Sequence, residues 1–364
     1  MVELKKVNLG DIITFKNGKK KPAEEGTIPI YGGNGILGYT DRSNYKNCIA
    51  VGRVGAYCGS VYYEPGECWI SDNAIAATPK ADVDIYFAFY LLKSLNLNQR
   101  HIGTSQPLLT QEILNKIECQ IPDLDIQKKI SNILRTMDGK VECNTAINRN
   151  LEEQARSIFD KEFIQINGVP AGWKESSLDG IADYLNGLAM QKFRPEDGEE
   201  YLPVLKIKEL RQGSFDDGTE QCSINIKPEY IVHDGDVIFS WSGSLLVDFW
   251  CGGDCGLNQH LFKVTSREYD KWFYYAWTLY HLDRFIAVAA DKATTMGHIK
   301  RGELSKAEVL IPSKEDYERI GKVLAPMYDA IIANRIENRK LAGLRDELLP
   351  KLMSGEIDVS ELDI

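Results

Sequence analysis

A chain of 364 residues with 43% hydrophobic and 26% charged side chains is globular rather than disordered, and long enough for two to four domains. No stretch reaches the roughly 18 apolar residues of a membrane span, and the opening lacks a leader's apolar run, so the chain reads as cytoplasmic with no membrane partner. The net charge of −10 excludes a uniformly basic nucleic-acid binder but leaves room for basic faces, and the eight scattered cysteines read as reduced thiols rather than a disulfide framework.

The first elements are short. "NLGDIITFKNG" leads into "KNGKKK", an expected loop whose Lys16, Lys19, Lys20 and Lys21 suit either phosphate contact or plain solvation. "GGNGILG" carries Gly-x-Gly-x-x-Gly at Gly33, Gly35 and Gly38. A turn-rich run follows it instead of a helix, so a flexible loop is expected rather than a nucleotide site. Next comes the strand–glycine–strand run "NCIAVGRVGAYCGSV". Its Arg53 either reaches a guanine or pairs with a core acid. An aromatic helix around "IYFAFYLLKSL", a loop with Thr104, Ser105 and Gln106, and a strand ending at Ile121-Pro122 close this half.

Asp123 is a plausible N-cap for a helix of about 35 residues. Ile130, Met137, Asn144, Leu151 and Ile158 recur every seven residues, with Leu134, Val141, Asn148 and Ala155 offset by four. This is a coiled-coil seam, and a seam requires a partner helix.

The second half repeats the order. "SLDGIADYLNG" resembles "NLGDIITFKNG", and "GDVIFSWSGSLLVDFWCGGD" has the same strand–glycine–strand layout. Trp241 and Ser242 lie in that run and suit either internal packing or a DNA groove. "CGGDC" with His260 supplies three candidate ligands, Cys251, Cys255 and His260, but no fourth ligand or paired Cys-x-x-Cys, so no metal site is expected. Asn258, Gln259 and His260 carry side chains suited to a base edge. After the aromatic run "KWFYYAWTLYHL" come Thr294, Thr295, His298 and Lys300, in the loop equivalent to 104–106. Ile311-Pro312 and Ser313 then open a second helix, with Ile320, Met327, Asn334, Leu341 and Leu348 on one row and Leu324, Ile331 and Asn338 on the other. Arg345 breaks the row, Pro326 should kink this helix and Gly139 should loosen the first.

Sliding residues 104–161 onto 294–351 without a gap gives 14 identities in 58 positions. Unrelated segments of ordinary composition would give roughly three or four. The shared asparagines at 144/334 and 148/338 have a specific reading. Asparagine in a seam costs stability but fixes register, because an amide facing an amide is satisfied. Each helix is then the other's natural partner, in parallel or antiparallel orientation; the alternative is that the asparagines face solvent.

The chain resembles the specificity subunits of type I restriction-modification systems over nearly its whole length. Carrying the resemblance are two domains, each closing on Gly103-Thr104-Ser105 or Ala293-Thr294-Thr295 and then Ile-Pro. Each is followed by a family-like helix, and "LLPKLMSGEI" resembles the family's ending. "IPIYGGNGILGYTD", "IAVGRVGAYCGSV" and "SDNAI" are similar to one type of target recognition domain. The family's Pro-Pro-Leu-x-Glu-Gln is reduced to "PDLDIQ" in one copy and to "PSKEDY" in the other.

The resemblance implies an α+β fold with a pseudo-two-fold internal repeat. Target recognition domains would span 1–122 and 167–312. Spacer helices would span 123–166 and 313–364, the latter with the C-terminal tail, and pair as an antiparallel coiled coil. It further implies double-stranded DNA as ligand, with two modification (methyltransferase) subunits and restriction (endonuclease/translocase) subunits as partners. S-adenosylmethionine, ATP and magnesium would be bound by those partners, and no cofactor by this chain. No catalytic residue is assigned: an adenine methyltransferase needs an Asn/Asp-Pro-Pro-aromatic loop, and none of the 13 prolines is followed by another. A catalytic DNA methyltransferase and a coiled-coil scaffold that never touches DNA are the rival readings.

Overall fold

The computed structural model describes residues 3–103, 107–291 and 301–363. It divides into two compact units, Met1–Gly139 with Leu341–Ile364, and Lys140–Lys340. The fold is α+β, and each half of the chain runs from a short strand through sheet strands and an aromatic helix to a closing strand and a long helix.

In the first unit the strand Lys5–Asn8 pairs antiparallel with Glu118–Ile121. A six-stranded sheet follows, in the order Ile13–Asn17, Ala74–Pro79, Tyr45–Gly52, Val61–Ile70, Ile28–Gly32, Gly35–Thr40. Its one parallel pairing sets Ile30 beside Trp69 and Tyr31 beside Ile70. The helix Ile85–Ser94 covers the sheet with Phe87, Leu91 and Leu92, which bury together with Ile13, Ile49 and Ile75. Asp84 caps this helix by accepting from the Phe87 amide at 2.9 Å.

The glycine-rich run and the lysine run both differ from what the sequence leads one to expect. "GGNGILG" is not a flexible loop but the tip of a hairpin between Ile28–Gly32 and Gly35–Thr40. Gly33 and Asn34 make the turn, and Gly35 leaves it at φ 77°, where a glycine costs least. Lys16 lies within the strand Ile13–Asn17, and Lys19 bridges to Ser71; only Lys20 and Lys21 follow as open chain.

The second unit repeats the two-stranded pairing as Lys174–Ser177 with Glu308–Ile311. Where the first unit has one sheet, this one has two of four strands. The cause is local. The ten-residue strand Val61–Ile70 is uninterrupted, whereas its counterpart breaks at 250–254 into Leu246–Phe249 and Cys255–Leu257. Within the break, Gly253 takes φ 93° and its amide donates to Asp234 Oδ1 at 2.8 Å. The parallel pairing survives it: Val204 lies beside Gly256 and Leu205 beside Leu257. The helix Lys271–Tyr280 buries Trp272, Phe273 and Trp277 against Phe159 and Phe163.

Each long helix begins after an Ile-Pro. Asp123 Oδ1 accepts from the Ile126 amide at 3.0 Å, and Ser313 Oγ from the Asp316 amide at 3.2 Å. The helices run Leu124–Phe159 and Lys314–Met353, the second unbroken through Pro326, and a π-helical turn, Asp160–Ile164, extends the first. Within the second unit they pack antiparallel. Asn144 meets Asn338, and Asn148 meets Asn334.

Candidate nucleic-acid interface

The asparagine layers define the register from which the second unit is built. Asn334 Nδ2 donates to Asn148 Oδ1 at 2.8 Å, and Asn148 Nδ2 to the Ile331 carbonyl at 3.2 Å. Asn144 Nδ2 donates to Asn338 Oδ1 at 2.9 Å and to Glu337 at 2.7 Å, which holds the Glu337 carboxyl below its ordinary range. Asn144 and Asn148 are 0% and 5% exposed, so these amides face each other rather than solvent. Arg335 and Arg339 of the second helix bind the globular part of the same unit. Arg335 Nη1 pairs with Asp248 at 2.6 Å, and Arg339 grips both oxygens of Asp234 at 2.7 Å. The Arg339 guanidinium depresses the Asp234 pKa. In the first unit Arg345, which breaks the apolar row, pairs with Asp138 at 2.6 Å, and Tyr90 donates to the same carboxylate.

Each unit has a polar cleft, the first beside Arg53 and the second at the turn that holds Asn258. In the first, Arg53, Asn17, Thr110, Gln111, Glu112, Asn115 and Lys116 line about 520 Å³, and Glu112 pairs with Lys116 at 2.6 Å. Arg53 follows the strand Tyr45–Gly52 and pairs with no core acid among the described residues. Its Nη1 donates to the Asp72 carbonyl at 3.4 Å, and its buried Nε has no partner among the described residues. In the second, Gln191, Lys206, Lys208, Asn258, Gln259 and His260 line about 360 Å³. Lys206 pairs with Glu220, and Lys208 with Asp216 at 2.6 Å.

The structure brings Asn258, Gln259 and His260 onto one turn. The Leu261 amide donates to the Asn258 carbonyl at 3.0 Å, and the His260 amide to Asn258 Oδ1 at 3.3 Å. Asn258 is therefore buried as the turn's support, while His260 is exposed and Gln259 half-buried. Trp241 packs internally: it stacks on Phe262 at 5.6 Å and donates to Asn186 Oδ1 at 2.9 Å, and Ser242 beside it is buried. Lys16, Lys19, Lys20 and Lys21 are exposed. Thr104, Ser105, Gln106, Thr294, Thr295, His298 and Lys300 lie outside the described residues.

Sequence reasoning missed the turn Ser71–Ala74. The Ala74 amide donates to the Ser71 carbonyl at 3.0 Å, and the Asn73 amide to Ser71 Oγ at 3.4 Å. These are the bonds of the 258–261 turn. Setting "ISDNAI" against "LNQHLF" would have located it, but the two share no residue at the tip. The Cys251 and Cys255 thiols are buried, which pushes Cys251 up to about 11 and raises Cys255 well above its ordinary value. Among the described residues no three His, Cys, Asp or Glu side chains are grouped to hold a metal ion, and no helix is long and apolar enough to cross a membrane.

Two related domains, each ending in a strand and a long helix, define a duplicated recognition protein. The chain belongs to the type I restriction modification DNA specificity domain family, the specificity subunits of type I restriction-modification systems, whose family model matches residues 1–153 and 170–341. It is similar to the MjaIX specificity subunit of Methanocaldococcus jannaschii, 24% identical over 313 residues, covering 78% of this chain and 72% of that one. The HindI specificity subunit of Haemophilus influenzae is 20% identical, with 79% and 81% covered. The crystal structure of the type I system S subunit from M. genitalium shares the fold, with a TM-score of 0.66 at 16% identity, covering 97% of this chain and 96% of that one.

Proposed function

We propose that this chain reads a bipartite DNA site for a type I restriction-modification complex, one half-site per globular domain. The observation that carries this reading is the duplication of the domain and of its turn. Two domains of divergent sequence hold the same turn, at Ser71–Ala74 and Asn258–Leu261, and amides and cations line a cleft in each, beside Arg53 in the first and at the turn itself in the second. Amides and guanidinium groups read base edges, and lysines anchor phosphates. Residues 1–122 and 167–312 are the readers, with Lys16, Lys19, Lys20 and Lys21 as phosphate anchors.

The paired helices serve as a ruler. With 36 and 40 residues they measure about 54 and 60 Å at 1.5 Å per residue, longer than the roughly 34 Å turn of B-DNA. Two modification subunits dock on them with S-adenosylmethionine and methylate adenine, and restriction subunits add ATP- and magnesium-dependent cleavage. This chain performs no chemistry itself and acts in the cytoplasm.

Methylation mapping of the host with and without the gene tests the proposal. A bipartite adenine-methylated motif is expected to vanish with the gene. An unchanged methylome in cells that express the chain overturns it.

A further inference from the structure

The two halves share a frame at atomic detail. Gly18 donates to the Ala74 carbonyl at 3.0 Å and Gly187 to the Leu261 carbonyl at 3.0 Å. Lys19 donates to Ile70 at 3.0 Å and Leu188 to Leu257 at 2.9 Å, while Ser71 donates to Tyr31 at 2.9 Å and Asn258 to Leu205 at 3.2 Å. A Cβ on Gly18 would fall 1.9 Å from the Ser71 carbonyl oxygen, and one on Gly187 would fall 2.3 Å from that of Asn258. Both glycines are therefore required for the chain to pass this close to the turn. Gly52 pairs with Ala74 and Ser240 with Leu261, which makes Arg53 and Trp241 equivalent positions. Asp72-Asn73 and Gln259-His260 are likewise equivalent turn tips.

Different side chains stand on this common frame. Trp241 is folded down onto Phe262 and Asn186. Arg53 is not folded down. No carboxylate pairs with it among the described residues, a carbonyl holds one donor at 3.4 Å, and its planar fork lines the cleft beside Asn17. A guanidinium so held matches the O6 and N7 acceptors of guanine. In the second half the equivalent position is closed, and the amide of Gln259, in the cleft between Lys208 and His260, suits the N6 and N7 edge of adenine.

We infer that the shared turn-and-strand-end frame is the base-reading position of each half, with Arg53 reading a guanine in one half-site and Gln259 an adenine in the other. This rests on the proposed function.

The test uses the full chain assembled with its own modification subunits, acting on a DNA library randomised across both half-sites, with methylated adenines read by sequencing. Arg53→Ala should relax the choice at one guanine by roughly 5- to 150-fold and leave the other half-site as it was. Gln259→Ala should relax one adenine in that other half-site. Each variant's unaltered half-site controls for folding and assembly. Should Arg53→Ala fail to assemble, Arg53→Lys, expected to keep a weakened guanine preference, decides by the same criterion alongside Gln259→Ala. Unchanged base preferences overturn the inference. So does a uniform loss across all sequences with the site intact, which would make Arg53 a phosphate anchor. A wild-type complex that methylates no defined site would overturn the functional reading itself.

Discussion

Replacing Asn148 with leucine tests whether the buried amides hold the two helices together as a mutual pair. Asn148 accepts from Asn334 at 2.8 Å and donates to the Ile331 carbonyl at 3.2 Å. Losing two hydrogen bonds costs about 2 kcal/mol, and the stranded, half-buried Asn334 amide costs about 1 kcal/mol more. Burying leucine returns roughly 1.5–3 kcal/mol where it fits. Asn148→Leu alone should therefore destabilise by up to about 1.5 kcal/mol and Asn334→Leu by a similar amount. The double variant leaves no amide unpaired and should be near neutral or more stable than the parent. The expected coupling is about 1–3 kcal/mol. Five of the six tryptophans lie within Lys140–Lys340, so urea unfolding followed by tryptophan fluorescence reports mainly on this unit. Additive single effects, within about 0.5 kcal/mol, would refute the amide pairing.

Gly187→Ala sets a Cβ 2.3 Å from the Asn258 carbonyl oxygen and should cost about 1–3 kcal/mol, read by the same fluorescence, while abolishing selection at one half-site only. Burial lowers the His281 pKa below its ordinary 6.5, outweighing its hydrogen bond with the Glu308 carbonyl at 2.8 Å. Below 6.5 the unfolded chain binds the proton first, so the stability this group contributes is full above that pH and lost as pH falls through the folded pKa. Thermal melts between about pH 5 and 8 should show a slope that His281→Gln reduces. Arg339→Ala removes the bidentate grip on Asp234 and leaves that carboxylate, among the described residues, the Gly253 amide as hydrogen-bond donor; a loss of about 1–2 kcal/mol is expected, smaller than for a fully buried pair because both groups are partly exposed. Of the eight cysteines only Cys143 is exposed, and burial raises the pKa of the other seven, so native protein should react with one equivalent of thiol reagent in a fast phase. Several fast equivalents would contradict this burial.

Legibility in the sequence followed the physics of each feature. The helices were plain because a seven-residue period needs no distant information, and Asn144, Asn148, Asn334 and Asn338 stand out as polar residues in an apolar seam. Helix orientation was not legible from the pattern, since mid-helix amides meet either way; only the contacts of Asn144 with Asn338 and Asn148 with Asn334 decide it. "GGNGILG" was misread because its glycines hide the alternation that marks a strand, while the turn at Gly33-Asn34 depends on pairing with Ile28–Gly32.

The turn at Ser71–Ala74 escaped for a more general reason. It is held by main-chain bonds to Tyr31 and Arg53, whose partner atoms belong to every residue type and leave no trace in composition. What the frame does impose on the sequence is glycine at the close approach, and "NG" occurs at 17–18 and again at 186–187. The residues at the tip carry the opposite requirement. Two domains that read different bases must differ where they touch them, so comparing the halves recovers the frame and erases the readers. Asp72-Asn73 against Gln259-His260, and Arg53 against Trp241, are the positions where a duplicated fold has the most reason to diverge. They become visible only once the backbone shows them to be the same place.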